Sequence, residues 1–99
     1  MGSRQQRVFM TSASELPEPA LIEVSSSDPA IPHRKLTGTI LTRLKKSLTM
    51  RTDQEIAVSA AVRVQSKDLL SLGEVLRCFP GPEARWTVEV GVQRSMLIV

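Results

Sequence analysis

The 99-residue sequence contains no tyrosine, two phenylalanines, one tryptophan, one histidine and one cysteine. Each shortage excludes something. A single thiol, Cys78, forms no internal disulfide and fits a reducing, intracellular compartment. His33 and Cys78 lie far apart in sequence, so the clustered His, Cys and carboxylate ligands of a metal site are missing. The same scarcity leaves no positioned nucleophile and base for group transfer. Gly38, Gly73, Gly81 and Gly91 are scattered, so no glycine-rich loop cradles a phosphate. No apolar run reaches the roughly 20 residues of a membrane-spanning helix, and the first residues lack the apolar stretch of a secretory signal. These absences argue for a soluble, non-enzymatic protein with no cofactor, metal or small-molecule substrate. With Phe9, Phe79 and Trp86 the only aromatics, a core must rest on Leu, Ile, Val and Ala.

Proline and serine are concentrated early. Pro17, Pro19, Pro29 and Pro32 stand with Ser12, Ser14 and Ser25–Ser27 in a stretch that lacks backbone donors and favours extended geometry. Residues 1–33 therefore read as a flexible arm, in which Ala20–Val24 is apolar enough to add as an edge strand. Residues 34–99 read as one small domain, short enough that a partner or a second copy is expected to help stabilise it.

Within that domain, residues 36–50 fit either a threonine-rich strand or a helix with Ile40, Leu41, Leu44 and Leu48 on one stripe. Ile56, Val58, Ala60, Val62 and Val64 alternate as a half-buried strand does, although Thr52 and Glu55 have the spacing of a helix capping box. Leu69, Leu70, Leu72, Val75, Leu76 and Phe79 recur at spacings of three and four. With Ser66 as N-cap and Pro80-Gly81-Pro82 as stop, they predict a helix over 67–79. Trp86, Val88, Val90 and Val92 alternate again, and Met96–Val99 is wholly apolar. The expected fold is α+β, a small antiparallel or mixed sheet with one packed helix.

The formal charge of +3 is unevenly distributed. Arg34, Lys35, Arg43, Lys45, Lys46 and Arg51 follow one another with no acidic residue between them. Such a segment suits phosphates of nucleic acid or an anionic membrane surface, though no aromatic is interleaved for base stacking. Trp86, Val88, Val90, Val92, Met96, Leu97 and Ile98 form a candidate protein interface, because an apolar edge strand invites pairing. Pro29, Pro32 and Arg34 match a PxxP motif with a following cation, the shape that polyproline-binding grooves accept.

The order of Leu36-Thr37-Gly38, the alternating strand through Val62-Arg63-Val64, the helix at 67–79 and the strand at 86–92 is similar to the core of rhabdovirus matrix proteins. The chain departs from that pattern in lacking a Lys-rich amino terminus and a PPxY motif. The expectation is thus a protein-interaction or assembly module, self-associating through its C-terminal strand region. The alternative is phosphate-directed binding through residues 34–51, as in a small viral matrix or accessory protein.

Overall fold

Alternation, not helical spacing, governs most of the described residues. The computed structural model describes residues 16–25, 30 and 33–98. Six strands occur in it: β1 Glu18–Ser25, β2 Arg34–Arg43, β3 Ser47–Thr52, β4 Ala61–Ser66, β5 Leu69–Pro80 and β6 Trp86–Leu97. They close into an antiparallel barrel in the order β1-β2-β3-β6-β5-β4. Two three-stranded meanders are joined by β3 against β6 and by β1 against β4. The connection 53–60 carries the chain from one meander to the other across one end of the barrel.

The inward residues are mostly aliphatic, with Thr52, Ser66 and Ser71 buried among them. Ile22 of β1, Ile40 of β2, Met50 of β3, Val64 of β4, Val75 of β5 and Val88 of β6 are all buried. Branched and unbranched aliphatics of this size fill the interior of so narrow a barrel, with Trp86 half-buried against them. Many outward positions are polar, although Leu21 of β1 is apolar and exposed. Glu23 pairs laterally with Lys35 on β2 and Arg63 on β4, and its carboxylate lies 4.0 Å and 3.7 Å from their nitrogens.

The α+β expectation is corrected. No helix occupies 67–79: Lys67 and Asp68 form a tight turn, with Lys67 at φ 55°, and β5 runs from Leu69 to Pro80. The misleading spacing has a physical source. Between Leu72 and Gly73 the register shifts because Gln93 is an extra residue of β6, whereas between Val75 and Arg77 one extra residue, Leu76, is inserted into β5 and resets its two-residue period. A strand interrupted at Leu76, with Leu69, Leu70 and Leu72 placing apolar side chains on both faces before it, shows apolar residues three and four apart. Its outward members betray it, since Leu76 and Phe79 are 48% and 41% exposed, whereas a packed helix would have buried them. At the first shift β5 and β6 approach so closely that a Cβ on Gly73 would collide with the Gly91 carbonyl oxygen. The helix that carried the similarity to rhabdovirus matrix proteins is therefore missing, and the similarity loses its basis.

Three further expectations change. Ala20–Val24 is part of β1, which pairs with β2 on one side and β4 on the other, so it is an interior stave and not an edge strand on an arm. Residues 36–50 form strand on both halves, with the hairpin turn at 44–46. The strand expected from Ile56 begins only at Ala61: Val58 is 57% exposed, and Ile56 is buried because the 53–60 connection folds it over the barrel. The capping-box residue Thr52 instead donates its hydroxyl to the Gln54 carbonyl at 2.7 Å.

Candidate functional site

Closing a sheet removes its edges only where neighbouring strands are equally long. Here β5 and β6 have 12 residues each, while β3 and β4 have 6. The last contact of β6 with the β3 side is the Val92 N–H donating to the Lys46 carbonyl at 2.8 Å. Beyond it, β6 continues to Leu97 paired with β5 alone. The Ile98 N–H donates to the Asp68 carbonyl at 2.6 Å. Because antiparallel pairing alternates along a strand, the amides of Arg94 and Met96 then face β5. Those of Ser95 and Leu97 face away from it. Among the described residues, nothing pairs with them. Met96, Leu97 and Ile98 are 38%, 70% and 39% exposed alongside this open edge.

The β5 strand has a comparable overhang at its other end. Its pairing with β4 stops at Glu74, and Val75 bonds the 53–60 connection through Ser59 and Ala60. Past that point the edge is blunted by Pro80, which carries no N–H. Val58, Leu76, Cys78 and Phe79 line a shallow apolar depression there. Arg77 stands above the Phe79 ring at 5.3 Å and donates to Glu89 at 2.8 Å.

The expected interface residues divide. Met96, Leu97 and Ile98 lie along the open edge. Val88 and Val90 point into the barrel at 0% and 1% exposure, so a partner cannot reach them. Trp86 and Val92 are half-buried against the core. The alternation that made 86–92 legible as a strand also sent its valines inward.

The six cations expected to act together are dispersed around the barrel. Arg34 reaches over the loop end, donating to Gln54 Oε1 at 3.2 Å and to the Glu55 carbonyl at 3.1 Å. Lys35 faces outward beside Glu23. Arg43 turns into the opposite mouth and donates to Glu18 at 3.1 Å, with only 25% and 11% of the two side chains exposed. Arg51 lies on the outer face between Thr39 and Thr87, and its Nε is buried without a partner. Lys45 and Lys46 alone remain adjacent, both exposed in the β2–β3 turn. Pro29 and Pro32 of the PxxP motif lie outside the described residues. Its cation, Arg34, is engaged as above.

Grouping by barrel end shows what linear order hid. The turn end carries the 44–46 and 67–68 turns and the finish of β6, so Lys45, Lys46, Lys67 and Arg94 stand there against Asp68. At the same end Arg43 and Glu18 neutralise each other. The loop end carries 53–60 and 81–85, where Asp53, Glu55 and Glu83 balance Arg34 and Arg85. There Arg85 stands 3.5 Å from Asp53. Leu44, the residue before the lysine pair, is 68% exposed at the turn end. A reading of strand ends as hairpins would have brought Arg94 and Lys67 to this group.

His33 is exposed immediately before β2, and Cys78 is half-buried on β5 opposite Val88. Among the described residues no group of three His, Cys, Asp or Glu side chains gathers, and no helix is long and apolar enough to cross a membrane. The chain matches no known protein family, and no curated protein or solved structure is detectably similar to it.

Proposed function

We propose that the chain is a non-enzymatic assembly module that self-associates by adding the open edge of β6 to the same edge of a second copy. The observation that supports this is the outward-facing, unpaired backbone of Ser95 and Leu97 on an otherwise closed barrel. Exposed strand edges template pairing. A two-fold axis through Met96 sets Ser95 of each copy opposite Leu97 of the other. All four outward amide units then find partners. In that register Arg94 faces Ile98, not another Arg94, so no like charges stand directly opposite. The exposed Leu97 and Ile98 lose water contact in the same step. The free thiol Cys78 fits an intracellular, reducing site of action.

Light scattering on the full chain tests the proposal. A dimer that dissociates on Ser95→Pro supports it, since proline removes one outward N–H and leaves the β5 pairing intact. Circular dichroism of that variant should match the parent. A parent that stays monomeric at high micromolar concentration contradicts the proposal, as does a Ser95→Pro variant that is folded and still dimeric.

A further inference from the structure

The β2–β3 turn has a character that the β6 edge does not explain. Leu44 projects at 68% exposure, followed by the exposed Lys45 and Lys46. The turn is held at both feet, by the Leu44 N–H on the Ser47 carbonyl at 2.8 Å and by the Lys46 carbonyl accepting from Val92 at 2.8 Å. An aliphatic tip is therefore displayed on a braced hairpin. Arg94 lies two residues beyond that last bond, just past the bulged Gln93 of β6. The neighbouring Arg43 is already neutralised by Glu18. Neither Lys45, Lys46 nor Arg94 takes part in an ion pair of the described residues, whereas Lys35, Arg43, Arg63, Arg77 and Arg85 all do.

Two kinds of polyanion suit such charges, and the side chains among them decide between the two. Single-stranded nucleic acid draws much of its affinity from bases stacked on aromatics. Phe79 and Trp86 are at the opposite end of the barrel, at the close of β5 and the start of β6. What accompanies the cations is aliphatic: Leu44, 68% exposed at the tip of the turn. An exposed aliphatic side chain followed by two exposed lysines is the chemistry of a lipid interface, where the apolar tip enters the headgroup boundary and the ammonium groups meet lipid phosphates. We infer that the turn end of the barrel, through Leu44, Lys45, Lys46 and Arg94, is a docking surface for an anionic membrane. The inference rests on the β2–β3 turn and does not require self-association.

The test is flotation of the full chain with phosphatidylcholine vesicles, with and without phosphatidylserine, alongside retention on heparin. Binding is expected only with phosphatidylserine and should weaken as salt rises. Neutralising both lysines, as Lys45→Gln with Lys46→Gln, should weaken it about 25-fold, roughly fivefold for each charge. Leu44→Ser should weaken vesicle binding about tenfold and leave heparin retention unchanged. Arg85→Glu at the loop end should leave vesicle binding as it was. Equal binding to both vesicle types overturns the inference. So does a Leu44→Ser variant that floats like the parent, which would mark the turn as a site for soluble polyanions such as RNA. An Arg85→Glu loss as large as that of the lysine pair would show diffuse attraction to net charge and would overturn it too.

Discussion

Ile56 and Leu44 are both large aliphatic residues in connections between strands, and their surroundings are opposite: 0% exposed at the loop end, 68% exposed at the turn end. At the loop end the 53–60 connection lies across the barrel, inserts Ile56, and is tied down by Arg34 on Gln54 and Glu55. At the turn end the connections are short, the mouth is closed by the Glu18–Arg43 pair, and β6 runs past its neighbour. Both ends are built from the same alternating strands. The difference lies in whether the connecting segment is long enough to fold back. Where it is, Ile56 completes the core, although Val58 of the same connection stays exposed; where it is not, Leu44 remains available to another molecule.

Substitutions at matched positions test this contrast. Ile56→Ala should cost about 3 kcal/mol in urea denaturation, because a fully buried aliphatic leaves a cavity at the loop end. A loss under about 1 kcal/mol would mean that the connection does not seal the barrel. Arg43→Ala should cost about 1–2 kcal/mol, since it strands a largely buried Glu18 carboxylate at the turn end. Arg34→Ala removes hydrogen bonds at an exposed position and should cost about 1 kcal/mol or less. If Arg34→Ala proved the more damaging of the two, the loop end and not the turn end would depend on its arginine. Leu44→Ala should change stability by no more than about 0.5 kcal/mol. A larger loss would show that the turn packs on the barrel and is not presented to a partner.

Parts of this architecture were legible in the residues. The alternations at Val62–Val64 and Trp86–Val92 reported true inward faces, and an aliphatic core was implied by the lack of aromatics. The stretch 67–79 misled because a bulge at Leu76 breaks the strand period and leucines occupy both faces before it, a combination that imitates helical spacing. Ile56 kept the phase of β4 by coincidence, entering the core from a loop. Cations adjacent in sequence separated because strand neighbours point to opposite faces. Arg34 and Arg43, at the two ends of β2, finished at opposite mouths of the barrel. Conversely, Arg94 is distant in sequence from Lys45 and Lys46 and shares one end with them. The open edge of β6 has no signature in composition or periodicity, because it follows from a difference in strand length between β6 and β3.

Hydrogen exchange at the amides of Ser95 and Leu97 tests the central claim most directly, because those two N–H groups face away from β5. If β6 pairs with β6 of a second copy, their protection should rise with protein concentration, while that of core amides such as Val88 and Val90 stays constant. Fast exchange of both amides, unchanged from low to high micromolar concentration, would contradict pairing through this edge.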